Sequence, residues 1–74
     1  MNVFDQIREI LSLQLEIDPK RISMETTMDE LGADSLDMVD LAMTVEDEFK
    51  LEIPDEVLEN IKTVGDVVGF LESR

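Results

Sequence analysis

Apolar residues recur along this chain at the period of a helix, and no run alternates with the period of a strand. A chain of 74 residues built that way must pack the apolar stripe of each helix against the others. The first stripe is Val3, Phe4, Ile7, Ile10, Leu11 and Leu15. It predicts a helix from about Asn2 to Leu15, with Asn2 as its cap and Asp5 three residues on. A second helix is expected from Ser35 to about Phe49, capped by Asp34, with Asp37 reaching back in a capping box. Leu51-Glu52-Ile53-Pro54 reads as extended, because a residue before proline avoids the helical region. A short helix follows from Asp55 to about Glu59. The last helix opens at Thr63, whose hydroxyl can cap it, with Asp66 at the third position. It turns Val64, Val67, Val68 and Leu71 inward.

Between the first two helices runs a loop from Glu16 to Asp34, punctuated by Pro19 and Gly32. Such length in a small domain is unusual and often functional. Ile17, Ile22, Met24, Met28 and Leu31 are spaced along it and are expected to pin it to the helices. The expected fold is all-α: a small bundle of three main helices plus one short helix, with a long loop between the first and second helices. It forms a single domain over residues 1–74.

Net charge is −13, from 19 acidic and 6 basic residues. Nucleic acid and anionic membrane surfaces both require a basic footprint, so neither is an expected partner. The charge is concentrated: residues 29–59 hold twelve of the acids and only Lys50 as a base. Such a field steers basic partners towards that segment. Histidine and cysteine are both absent. Their absence removes disulfides, thiolate metal sites and the usual general base. No EF-hand loop of spaced aspartates occurs, so no metal site is expected. No apolar stretch approaches the ~20 residues that span a bilayer, and no basic apolar leader follows Met1. The expected setting is cytoplasmic.

The second helix carries two apolar faces when its residues are placed about 100° apart. Met38, Leu41, Ala42, Val45 and Phe49 form an ordinary core face. Leu36, Val39 and Met43 cluster on the opposite side, with Asp40 and Asp47 among them, Asp37 and Thr44 on one flank and Glu46 on the other. Either the third helix or the loop covers these apolar residues, or they form a docking strip. In a strip, apolar knobs supply contact area and carboxylates meet Arg and Lys of a partner.

Ser35 stands where a turn runs into that helix, and three readings compete. It is a helix cap, a role for which serine is among the leading residues. It is a catalytic nucleophile, which requires an adjacent base. No histidine exists to serve, Lys20, Lys50 and Lys62 lie in no recognisable motif, and the Gly-x-Ser-x-Gly elbow is missing. No catalytic residue is therefore expected, and the chain is not expected to be an enzyme. In the third reading Ser35 accepts a phosphate-linked group from another enzyme, where unpaired N–H groups and the helix dipole favour phosphate.

The segment Leu31-Gly32-Ala33-Asp34-Ser35-Leu36-Asp37 resembles the modification motif of acyl carrier proteins. The resemblance continues through Val39-Asp40-Leu41, Glu46-Asp47-Glu48-Phe49 and Glu52-Ile53-Pro54-Asp55-Glu56, then Thr63-Val64-Gly65-Asp66-Val67-Val68, and so covers essentially the whole chain. It implies that Ser35 carries 4′-phosphopantetheine, attached from coenzyme A by a phosphopantetheinyl transferase. The arm's thiol would hold a growing acyl chain as a thioester. The chain, as a monomer, would deliver it to fatty-acid synthesis enzymes with basic docking patches. Asp34, Leu36, Asp37, Val39, Asp40, Met43, Glu46 and Asp47 fall at positions the family uses for partner docking. By the same analogy Val39, Leu41, Ala42, Val45, Ile53, Ile61 and Val67 are candidates to line an acyl-chain pocket, beside the reading that they are plain core. Thr44 and Met38 depart from the pattern away from Ser35 and bear only on partner preference. One alternative is a carrier of a polyketide or other specialised pathway, against which Ala33, Leu36 and the acidic strip tilt the reading towards fatty acids. Another, from a different class, is an acidic helical binding module for basic partners or divalent ions.

The concentration of carboxylates predicts a fold strained by self-repulsion. Millimolar Mg²⁺ or Ca²⁺ in low-salt buffer should raise the melting temperature, with weak affinity. A melt that does not move across the titration refutes this.

Overall fold

The computed structural model describes residues 2–73. Four helices form in the order α1 (Val3–Leu15), α2 (Ser35–Phe49), α3 (Asp55–Asn60) and α4 (Val64–Glu72). No strand occurs among the described residues; Thr27 and Thr63 make one isolated antiparallel bridge. The expected all-α bundle of three main helices and one short one is the fold found.

Each long helix begins at a side-chain cap. Asn2 lies outside α1, and its Oδ1 accepts the Asp5 N–H at 2.8 Å. Thr63 likewise stands outside α4 as the cap of a complete box. Its Oγ1 accepts the Asp66 N–H at 3.1 Å while Asp66 Oδ2 accepts the Thr63 N–H at 3.0 Å. By contrast α3 follows Pro54 without any side-chain cap and buries no residue fully. It runs one residue further than the sequence suggests, to Asn60. A helix this short has no stability of its own and depends on Val57 and Leu58 packing against the core.

Both α1 and α2 end on a left-handed residue that is not glycine, Glu16 at φ 56° and Lys50 at φ 57°. The N–H groups of Glu16 and Ile17 both donate to the Ser12 carbonyl, and those of Lys50 and Leu51 to the Glu46 carbonyl. Ile17 and Leu51 then pack against the core. That contact offsets a left-handed penalty of roughly 1–2 kcal/mol.

The core joins Ile7 and Leu11 of α1 to Leu41, Ala42 and Val45 of α2 and to Val64, Val67, Val68 and Leu71 of α4. Ile22, Met28 and Leu31 of the long loop complete it with Ile53. The loop holds a single 3₁₀ turn at Pro19–Arg21. Backbone hydrogen bonds fasten it to the start of α4. The Met28 N–H donates to the Lys62 carbonyl at 2.8 Å, Val64 to Thr26 at 2.9 Å, and Gly65 to Met24 at 2.8 Å. A Cβ at Gly65 would stand 3.0 Å from the Met24 oxygen, so the close approach favours glycine there. Met24 therefore pins the loop through its carbonyl, while its side chain, 41% exposed, lies beside Gly65.

Two carboxylates brace this seam. Glu30 accepts the Thr27 N–H at 2.8 Å and the Thr27 hydroxyl at 3.1 Å. Asp66 accepts the Lys62 and Thr63 N–H groups. The backbone hydrogen bond from Thr27, then its hydroxyl, holds Glu30 below its ordinary pKa of 4.5. The backbone bonds from Lys62 and Thr63 hold Asp66 below 3.8. A depressed folded-state pKa contributes stability that is present above the unfolded value and is lost as pH falls through the folded one. A carboxyl-carbon NMR titration should give both groups midpoints below 4.5 and 3.8 respectively. Seam amides at Met28, Val64 and Gly65 should lose exchange protection as pH drops through those midpoints. Midpoints at or above the ordinary values would contradict the seam.

Candidate functional site

Ser35 owes its position to the turn before it. Met28 and Leu31 are buried and anchor that turn. The Met28 carbonyl accepts the Leu31 and Ala33 N–H groups, each at 3.1 Å, and the Asp29 carbonyl accepts that of Gly32 at 3.0 Å. Gly32 closes the turn at φ +77°, a conformation strained for any residue with a side chain. The chain then extends at Asp34, whose Oδ1 accepts the Asp37 N–H at 2.9 Å. Asp37 Oδ2 returns to the Asp34 N–H at 3.1 Å and completes the box. The Gln14 amide of α1 donates to the Asp37 carbonyl at 2.8 Å and ties the end of α1 to the first turn of α2.

This geometry removes the helix-cap reading of Ser35. Asp34 is the cap, and Ser35 is the first residue inside the helix. It is exposed, and its hydroxyl takes part in no hydrogen bond with the described residues. At this position its N–H and that of Leu36 precede the first helical acceptor and stay open. No group of histidine, cysteine or carboxylate side chains among the described residues is arranged to hold a metal ion.

The outer face of α2 is uncovered. Leu36 is 70% exposed, Val39 47% and Met43 61%, so neither α3 nor the loop covers them. Asp34, Asp40 and Asp47 are exposed beside them. Asp37 and Glu46 are half-buried and already serve the fold. Asp37 closes the capping box, and Glu46 Oε2 accepts the Ile53 N–H at 2.7 Å. Among the described residues the one ion pair is Arg8 with Asp5, at 3.2 Å. The carboxylates of α2 therefore have no ion-pair partner among the described residues.

The candidate pocket residues divide. Leu41, Ala42, Val45, Ile53 and Val67 are buried in the core. Val39 lies outside it, and Ile61 borders a shallow groove of ≈ 340 Å³ with Val57 and Asp66. A larger groove of ≈ 650 Å³ runs between α1 and α2 instead. It contains Leu13, which the sequence reading passed over and which is 74% exposed. The available signal was a leucine off the apolar stripe of α1.

A family model described as "Phosphopantetheine attachment site" matches residues 5–71. An acyl carrier protein of Wolinella succinogenes is 47% identical over 100% of this chain and 99% of its own length. An acyl carrier protein of Clostridium perfringens is 50% identical over 93% of this chain and 92% of its own. A solved Mycobacterium tuberculosis structure, described as that of an acyl carrier protein, superposes with a TM-score of 0.88 at 34% identity over 95% of both chains.

The division of labour at the start of α2 is testable by calorimetry. Asp34→Ala should cost about 1 kcal/mol, because it removes the cap. Ser35→Ala should stay within about 0.5 kcal/mol of the parent, as an exposed position free of such features does. Equal losses would return the cap to Ser35.

Proposed function

We infer the function from one premise: this chain belongs to the phosphopantetheine attachment family and, within it, to the acyl carrier proteins. It is a carrier and not an enzyme, and its cofactor is 4′-phosphopantetheine. A binding module without a prosthetic group is thereby set aside.

Ser35 is the proposed attachment residue. The observation that carries this is its exposed hydroxyl, left free because Asp34 caps the helix in its place. The open N–H groups of Ser35 and Leu36 suit phosphate oxygens, and the positive end of the α2 dipole favours their charge. The Ser35 oxygen forms the new phosphoester as the pyrophosphate bond of coenzyme A breaks and adenosine 3′,5′-bisphosphate leaves. The serine proton goes to a base of the transferase, since this chain has no histidine. Once attached, the arm supplies a thiol on which acyl groups are held as thioesters, a sulfur that a chain without cysteine lacks.

The role proposed is delivery of growing acyl chains to fatty-acid synthesis enzymes in the cytoplasm, by a monomer whose residues 1–74 form one carrier domain. Leu36, Val39 and Met43 give partner enzymes apolar contact on α2. Asp34, Asp37, Asp40, Glu46 and Asp47 give basic docking patches their complement. Charges of this kind act mainly on association rate and orientation. Asp37 and Glu46 serve the docking face while also holding the backbone.

An intact mass, taken after incubation with coenzyme A and a broad-specificity phosphopantetheinyl transferase, tests the attachment. One added phosphopantetheine is expected on the parent chain and none on Ser35→Ala. Addition to both would move the site away from Ser35. No addition to the folded parent would remove the carrier reading.

A further inference from the structure

We propose that the groove between α1 and α2 is a second docking surface, and that its occupant is a basic amphipathic helix of a partner protein. The groove is lined by Leu13, Met43 and Phe49 on its apolar side. Leu13 is the most exposed large apolar residue among those described. Nothing in the fold requires it there, since α1 buries Ile7 and Leu11 instead. Glu9, Asp40 and Glu48 supply the acidic side, and no lysine or arginine lines the groove. None of these three carboxylates has an ion-pair partner among the described residues.

Shape and charge together select the occupant. On α1 the lining runs from Gln6 to Gln14, which at 1.5 Å per residue is roughly 12 Å, a little over two helical turns. A trough between two helices receives the ridge of a third, with anchors one turn apart. An alkyl chain would fill the apolar part but leave the carboxylates without a counterpart. A second copy of this chain would bring a net charge of −13 to the same acids. A helix with leucine-like residues on one face and flanking lysines or arginines satisfies both parts. This surface shares Asp40 and Met43 with the face around Ser35 but takes in α1, which that face does not. It stands whether or not Ser35 bears the arm, so the unmodified chain tests it.

The probe is a fluorescein-labelled peptide of leucine and lysine, about 18 residues long, with its leucines on one helical face. Binding is read by anisotropy in low salt and mapped by amide chemical shifts. Leu13→Asp should weaken binding about tenfold, the order expected when a buried leucine anchor is lost. Glu9→Lys should weaken it measurably. Glu25→Lys makes the same change in net charge outside the groove and should alter affinity by less than about twofold. Shifts should cluster on Ile10, Leu13, Met43 and Phe49. Equal losses from Glu25→Lys and Glu9→Lys would reduce the effect to net charge and overturn the proposal. Shifts confined to Leu36 and Val39 would assign the peptide to the outer face of α2 and overturn it too. So would a sedimentation coefficient that rises with protein concentration and falls back in Leu13→Asp, which would make a second copy the occupant.

Discussion

The seam between the long loop and the start of α4 is the contact on which the rest of this structure depends. Ordering a loop of this length costs backbone entropy at every residue, and its own turns return little of it. Three interchain-like backbone hydrogen bonds, from Met28, Val64 and Gly65, fix it to the far end of the chain. Once fixed, it can bury Ile22, Met28 and Leu31 in the common core. Met28 links this seam to the site. Its N–H is held by Lys62, while its carbonyl holds the Leu31 and Ala33 N–H groups of the turn before Ser35. The serine is thus placed by a contact with residues far along the sequence, and the caps at Asp34 and Asp37 only finish the task.

Helix α2 meets two opposing demands. Its inner face, Leu41, Ala42 and Val45, is core of the ordinary kind. Its outer face keeps leucine, valine and methionine in water beside uncompensated carboxylates. Neither feature contributes to folding, and both make sense if the face is completed by a partner. A sequence that is locally consistent nearly everywhere departs from consistency on this face, the one proposed for docking.

What the sequence revealed follows from how local each signal is. The Asp34-to-Asp37 box spans one turn, so the start of α2 and the place of Ser35 were legible from the residues. The stripe of α1 was equally plain, because Ile7 and Leu11 repeat at one turn. The seam was not. It joins backbone atoms of residues 24–28 to those of residues 62–65, and backbone atoms leave no mark on side-chain identity. Gly65 alone recorded it, by the Cβ that would crowd the Met24 oxygen. The exposure of Leu36, Val39 and Met43 was undecidable for a related reason: a wheel shows which residues share a face but not what packs upon it. Core and acyl pocket draw on the same residue types, so the identities of Leu41, Ala42 and Val45 do not separate the two roles.

With so few bases, this fold pairs only Asp5 with a cation among the described residues; it uses many of its other acids as acceptors for backbone N–H groups. Asp18 takes the N–H of Lys20, Glu30 that of Thr27, Asp34 that of Asp37, Glu46 that of Ile53, and Asp66 those of Lys62 and Thr63. A carboxylate so placed satisfies a backbone donor, and for the caps Asp34 and Asp18 and for Asp66 in the first turn of α4 the local dipole also favours negative charge. The fold can then concentrate acids around one segment without demanding cations elsewhere in the chain. This divides the carboxylates by role. Those holding backbone N–H groups specify the structure, and their loss would be felt as instability. Asp40, Asp47, Glu48 and Glu9 hold none and stand on surfaces with exposed apolar side chains. They contribute repulsion to the isolated chain, and under the proposed docking role the same charges would supply the attraction for a basic partner.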